Sequence, residues 1–412
     1  MKLWQPLTQH ATAPSPPVIA RAEGAYLYTS DGRKIFDGIS SWWVTTHGHS
    51  HPVIRAAIAA QAEKLSQTIL ANFTHDAAND FVFELSRVTD TKFARTFLSD
   101  SGSTANEVAL KMAVGAWHHR GFPARHKIIT FEHSYHGATL GATSLGARGV
   151  FSKPHEALLF EVLRVPSPAG DTTACLEELK RTFAAHENEI AAIIIEPLIQ
   201  GAGGMKFYAP EILDEITRMA RRHDAFMIFD EVMTGFGRTG TMFAYQQCKE
   251  LPNIITLAKG ITGGFLPMGA TLAGAEIFDA FYAQDKSKML FHSTSYSGNA
   301  LACAAAAENL KVWRNENTET KLSEVNSCHQ KFLPHMKVHN PRICGTIAAF
   351  EIESTDNNYL ANVGQSLQEF CMLFGVLLRP MGNTVYIMPP YCTQESDLEN
   401  CYDVLINFLE NH

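Results

Sequence analysis

Between about residue 100 and residue 275 short apolar runs alternate with amphipathic stretches, and that rhythm admits few folds. Lys127-Ile128-Ile129-Thr130-Phe131, Ala191-Ala192-Ile193-Ile194-Ile195, Ala225-Phe226-Met227-Ile228-Phe229 and Asn253-Ile254-Ile255-Thr256-Leu257 each have the length and composition of a buried strand. Between the second and third runs a glycine-rich turn leads to Pro210, after which Ile212, Ile216 and Met219 recur at helical spacing and offer one buried face. Strands that are apolar throughout and separated by helices form a mostly parallel sheet covered on both faces, so the expected class is α/β. Residues 1 to 48 read as strands and turns, with Asp31-Gly32-Arg33 as a hairpin turn, and the last hundred residues mix helix and strand. The expected division is an N-terminal segment, 1–48, that joins a small domain, a large domain, 49–305, and a C-terminal small α+β domain, 306–412.

A chain of 412 residues, 46% hydrophobic and 18% charged, is long and apolar enough to bury a sizeable core. Its formal charge of −8 argues against a nucleic-acid or anionic-membrane surface and leaves small molecules as the expected partners. Eight cysteines lie scattered without a C-x-x-C pair, so neither a zinc site nor a disulfide framework is indicated, and reduced thiols place the chain in the cytoplasm. Lys2 alone precedes Trp4, and Pro14, Pro16 and Pro17 follow, which is incompatible with the apolar helix of a signal peptide. No stretch is long and apolar enough to span a membrane.

Two of the strands deliver chemistry at their ends. Lys259 stands among small residues in Leu257-Ala258-Lys259-Gly260-Ile261-Thr262-Gly263-Gly264, where glycines leave room for a bulky partner. A desolvated amine loses proton affinity and attacks carbonyls, although the same segment also suits a lysine snorkelling from a strand end. Asp230 and Glu231 follow the Ala225–Phe229 run, 29 residues before Lys259, which fits one strand–helix–strand unit with both groups on one sheet edge. A buried carboxylate needs a cationic or hydrogen-bonding partner. The pyridinium nitrogen of pyridoxal phosphate is one such partner, and a lysine Schiff base is that cofactor's other anchor. The competing reading has Asp230 capping the next turn.

A phosphate needs an anion cradle, and Asp100-Ser101-Gly102-Ser103-Thr104-Ala105-Asn106-Glu107 supplies one. Thr104 and Glu107 have capping-box spacing, and Ala105, Val108, Ala109, Met112, Ala113 and Ala116 form an apolar stripe behind them. Gly102 lets the backbone approach a ligand, and Ser103 adds a hydroxyl. Tyr135, just past a strand in Ser134-Tyr135-His136-Gly137, can lie flat on a pyridine ring or simply pack. Gly235-Phe236-Gly237-Arg238-Thr239-Gly240 matches G-x-G-x-x-G, but it sits too far past its strand for a dinucleotide turn. His47, His49 and His51 alternate like metal ligands of a hydrolase, yet Gly48 and Pro52 break a regular strand, so no metal is expected.

Together these segments resemble the class III, fold-type I pyridoxal-phosphate aminotransferases over essentially the whole chain. The likeness rests on Ser101-Gly102-Ser103, Tyr135-His136-Gly137, Ile195-Glu196-Pro197, Asp230-Glu231 with the Gly235–Gly240 motif, and Leu257-Ala258-Lys259-Gly260. It implies that Lys259 holds the cofactor aldehyde, Asp230 pairs with the ring nitrogen, Tyr135 stacks on the ring, and Gly102 and Ser103 contact the phosphate. It also implies a homodimer with shared sites, in which Thr294 and Ser295 of His292-Ser293-Thr294-Ser295-Tyr296 reach the partner's phosphate.

A narrower resemblance, to the branch that converts 8-amino-7-oxononanoate to 7,8-diaminononanoate in biotin biosynthesis, comes from three further segments. They are Trp4-Gln5-Pro6-Leu7-Thr8, Ser40-Ser41-Trp42-Trp43, and Leu378-Arg379-Pro380-Met381-Gly382 followed by Tyr386-Ile387-Met388. In that reading Trp42, Trp43, Tyr135, Ser293 and Tyr386 face a long methylene chain and Arg379 grips its carboxylate. The implied donor is S-adenosylmethionine, with lysine used by some relatives. Two residues depart from the pattern: Leu7 replaces the usual tyrosine, and Ala138 replaces the aspartate that often follows Tyr-His-Gly. Another class III ω-aminotransferase and the His47/His49/His51 hydrolase are the alternatives.

Overall fold

The computed structural model describes residues 3–354 and 361–411. Seven strands form the main sheet in the spatial order Phe93–Ser99, Gly269–Gly274, Ile254–Leu257, Phe226–Asp230, Ile190–Ile195, Lys127–Phe131, Leu163–Val165. Gly269–Gly274 runs antiparallel to both neighbours, and the remaining pairs are parallel. The four apolar runs of the sequence are four of these strands, with ends within one residue of expectation.

Their continuous apolar character follows from coverage on both faces. Ile194, Ile228 and Ile254 pack with Val108, Ala109 and Ala113 of the Gly102–His119 helix. The alternate residues Ile193, Met227 and Ile255 belong to the opposite core with Leu213, Ile216 and Met219 of the Pro210–Arg222 helix. Each such side chain, once buried, contributes about 1.5–3 kcal/mol, and the two-residue period assigns it to a face. Of the helical positions read from sequence, Ile212 is only half-buried, and Leu213 takes its place in the core.

One expectation about the Gly102–His119 helix is corrected. Its capping box is Ser101 with Thr104: Ser101 Oγ accepts from Thr104 N at 3.2 Å, and Thr104 Oγ1 accepts from Ser101 N at 2.9 Å. The helix therefore starts three residues earlier than a Thr104–Glu107 box requires. Glu107, a turn further along, accepts instead from Thr139 Oγ1 at 2.6 Å.

The two chain ends meet in a second sheet. Strands Ile19–Glu23, Tyr26–Thr29 and Lys34–Asp37 form an antiparallel meander, and Val376–Leu377 adds alongside Lys34–Asp37 in parallel. The meander's second turn contains the expected Asp31-Gly32-Arg33, with Gly32 at φ +90°. A third, antiparallel sheet comprises His339–Cys344, Ile347–Glu351 and Thr384–Ile387. In the main sheet Phe229 lies opposite Ile195 and Asp230 opposite Thr256, so Glu196, Asp230 and Lys259 all leave the carboxyl edge, where ligands of open α/β sheets bind.

Candidate active site

At that edge lies a cavity of about 480 Å³ whose wall includes Gly102, Ser103, Tyr135, Glu196, Asp230 and Lys259. Lys259 enters it through a left-handed backbone, φ +48°, immediately after its strand. Its Nζ lies 4.6 Å from the Trp43 ring centroid, and no carboxylate oxygen among the described residues stands within ion-pairing distance. Burial therefore dominates, and it pulls the amine down to about 8 despite the opposing charges of Asp230 and Glu196. An amine so poised is largely a free base just above neutrality.

Asp230 is held on both oxygens. Oδ2 accepts from Asn106 Nδ2 at 2.8 Å and meets His136 Nδ1 at 2.7 Å, while Oδ1 accepts from Val232 N at 3.0 Å. Glu196 is the second buried acid: burial raises it to about 7, against the pull of His136 and of the Tyr135 and Gly201 amides. Those amides donate to Oε1 and Oε2 at 3.0 and 2.9 Å, so this carboxyl anchors the backbone of Tyr135.

The opposite wall is an anion cradle. The capping box leaves the first-turn amides of Gly102 and Ser103 outside the helical ladder. A Cβ at Gly102 would come 2.6 Å from Val232 Cγ1, and one at Gly137, φ +130°, would overlap Ser103 Oγ, which accepts from Ala138 N at 2.9 Å. Helix-start amides, a buried amine with no ion-pair partner and a buried carboxylate suit a ligand with a phosphate, an aldehyde and a ring nitrogen; the residues present fit pyridoxal phosphate.

A larger cavity, about 1000 Å³, shares Tyr135, Gly137 and Ala202 with the first. Trp42, Leu7, Ala138 and Met381 are in its wall, so the two residues that depart from the family pattern face the same space. The tryptophans are divided by a left-handed turn: Ser40, Ser41, Trp42 and Trp43 have φ of 50°, 54°, 103° and 70°. Such backbone costs roughly 1–2 kcal/mol per residue and needs support. Asp37 accepts from Ser41 N and Oγ, Ser40 Oγ donates to Met388 O, and the buried Arg238 donates to the carbonyls of Trp43 and Thr45. Trp43 consequently points inward, its Nε1 donating to Tyr386 Oη at 3.0 Å, and Trp42 points outward beneath Arg379, 4.9 Å from its ring.

Other expected site residues stand further out. Tyr386 is buried behind Trp43, and Arg379 donates to Leu7 O at 3.4 Å; neither lines either cavity. Ser293 and Ser295 are exposed, and Thr294 Oγ1 donates to Asp100 Oδ1 at 2.8 Å, at the rim of the inner cavity. The histidines diverge: His49 Nε2 meets Asp37 at 2.8 Å, His51 Nε2 meets Glu316 at 3.0 Å, and burial pushes His47 down to about 3. The described residues contain no metal-ligating group of three. The Gly235–Gly240 motif supplies Arg238 to the turn beneath Trp43, and no helix follows it as a dinucleotide site requires. Asn106 and His136 lay within quoted motifs, but nothing in their spacing marked them as partners of Asp230.

The aminotransferase class-III family profile matches residues 8–409. The chain belongs to the class-III aminotransferases. The adenosylmethionine-8-amino-7-oxononanoate aminotransferase of Synechococcus elongatus is 40% identical, covering 99% of this chain and 98% of its own. The Geobacter sulfurreducens protein of the same name is 36% identical over 98% and 94%. Among solved structures, that of the like-named Methanocaldococcus jannaschii aminotransferase superposes with a TM-score of 0.94 at 31% identity, over 100% of this chain and 97% of that one. The PLP-bound structure of an amine transaminase from an uncultivated Pseudomonas species gives 0.90 at 30%, over 98% and 97%. For a class-III aminotransferase, the mostly parallel sheet and the carboxyl-edge cavity are the expected frame.

Proposed function

We propose that this chain is a pyridoxal-phosphate enzyme that transfers an amino group from S-adenosylmethionine to 8-amino-7-oxononanoate, giving 7,8-diaminononanoate for biotin biosynthesis. The observation that carries the reading is the gathering of Lys259, Asp230, Gly102 and Ser103 around one cavity in a chain whose relatives bear that enzyme's name. When bound, pyridoxal phosphate supplies an electron sink for the carbon that loses or gains the amine.

Lys259 Nζ holds the cofactor aldehyde and, once displaced by the donor, moves the proton to and from the substrate carbon. Asp230 faces the ring nitrogen, the amides of Gly102 and Ser103 hold the phosphate, and Tyr135 covers the ring. Trp42, Trp43 and Tyr386 shape an apolar path for the methylene chain, with Ser293 beside it and Arg379 at the carboxylate end. The working enzyme is a cytoplasmic homodimer in which Thr294 and Ser295 complete the partner's phosphate site. Its large domain spans 49–305, and 1–48 with 306–412 build the small one; the pairing of Val376–Leu377 with Lys34–Asp37 supports that division.

Lys259→Ala tests the reading. Formation of 7,8-diaminononanoate falls by about 10⁴ or more, and borohydride reduction no longer fixes cofactor to the chain. Turnover at the wild-type rate overturns the assignment. In a donor screen with 8-amino-7-oxononanoate as acceptor, product from lysine but none from S-adenosylmethionine overturns the donor alone.

A further inference from the structure

Asn106 lies one turn into the helix that begins at Gly102, is fully buried, and uses every hydrogen-bonding group of its amide. Nδ2 donates to Asp230 Oδ2 and to the His136 carbonyl, both at 2.8 Å, and Oδ1 accepts from Thr256 Oγ1 at 2.7 Å. A flipped amide would set its carbonyl against a carboxylate and a second carbonyl, so these neighbours determine its orientation. Thr256 is the residue opposite Asp230 in the adjoining strand. One side chain thus joins the cradle helix, two strands of the sheet edge and the turn that carries Tyr135.

We infer that Asn106 is a positioning residue that aims the Asp230 carboxylate at the cofactor's ring nitrogen and keeps it in register with the phosphate cradle. The inference rests on the proposed role of Asp230. With Oδ2 occupied by Asn106 and His136, and Oδ1 by Val232 N, rotation of the carboxylate about its Cβ–Cγ bond is closed off. Without Asn106, one of the two side-chain donors on Oδ2 is lost, and the His136 carbonyl and the Thr256 hydroxyl lose a partner at the same time. Those losses act on the direction of the carboxylate, and only through it on the cofactor.

The test compares binding of pyridoxal phosphate with binding of its analogue in which CH replaces the ring nitrogen, by equilibrium dialysis on the full chain. Wild type prefers the nitrogen-bearing cofactor by about tenfold or more, the worth of one charge-assisted hydrogen bond. Asn106→Ala reduces that preference to about threefold or less, and Thr256→Val, which leaves Asn106 in place but unbraced, gives an intermediate value. Thr256→Val also supplies the measurement should Asn106→Ala fail to fold. An unchanged preference in the variants overturns the inference, as does an equal weakening of both ligands, which marks a purely structural role. Asp230→Asn separates the two levels: if it keeps the full preference, the reading of Asp230 falls and takes this one with it. If Asp230→Asn loses the preference while Asn106→Ala keeps it, only the role of Asn106 is overturned.

Discussion

The Nζ of Lys259 stands 4.6 Å from the centroid of the Trp43 indole, whose Nε1 donates to Tyr386 Oη. That ring is the face on which the buried ammonium is stabilised when the amine is protonated, a contact worth about 1–2 kcal/mol in a desolvated setting. Trp43→Leu therefore lowers the lysine below its value of about 8, by about one pH unit. The pH midpoint of the rate at which pyridoxal phosphate is captured by the cofactor-free protein moves down accordingly, and Trp43→Phe recovers part of the difference. A midpoint that stays or rises counts against the contact.

Glu196 gives a pH effect of defined sign. Burial lifts it from an ordinary 4.5 to about 7, so between those values the folded chain keeps a proton that the unfolded chain has released. Stability contributed by the protonated group falls as pH rises through that window. Glu231, raised to about 7 for the same reason, acts in the same direction. Urea midpoints measured at pH 5 and pH 7.5 should decline less in Glu196→Gln than in wild type, and least in the double variant with Glu231→Gln. A steeper decline in Glu196→Gln would contradict the assignment.

Gly137 is required by shape. Its φ of +130° and the overlap of any Cβ with Ser103 Oγ mean that Gly137→Ala displaces the serine from the cradle. Affinity for pyridoxal phosphate should drop about tenfold or more, corresponding to a lost hydrogen bond plus backbone strain. Isothermal calorimetry reads it; an unchanged dissociation constant would show that the cradle tolerates the methyl group.

Arg238 braces the strained tryptophan turn. It donates to the carbonyls of Pro389, Trp43 and Thr45 from a fully buried position. Arg238→Met keeps the bulk and removes every donor, which costs about 3–5 kcal/mol as judged from buried polar groups left unpaired. Denaturant unfolding measures the loss, and tryptophan emission shifts red as Trp43 gains water. A variant as stable as wild type would mean that the turn holds itself.

Much of this protein was legible in its residues because two physical signals are local. Ile193, Met227 and Ile255 lie in strands that are apolar at every position, which requires burial on both faces, and the 29-residue interval between Asp230 and Lys259 requires one crossover between adjoining strands. The capping box was misplaced because Ser101 and Thr104 compete with Thr104 and Glu107 for the same spacing, and only the packing of Glu107 onto Thr139 decides between them. His47, His49 and His51 share a spacing but not a partner, since Asp37 and Glu316 come from distant parts of the chain.

The sequence by itself determined the α/β order, the lysine and aspartate at adjoining strand ends, and the glycines of the cradle, because each follows from periodicity or from the steric demands of one short segment. Tertiary structure alone decided which groups face one another: Trp43 over Lys259, Asn106 on Asp230, Glu196 beneath Tyr135, and Leu7 with Ala138 on one cavity wall. Those contacts join residues 30 to more than 200 positions apart or, for Trp42 and Trp43, depend on a left-handed turn held by remote carbonyl and carboxylate partners. Interactions of that kind are set by how the chain packs, and no local pattern of residues encodes them.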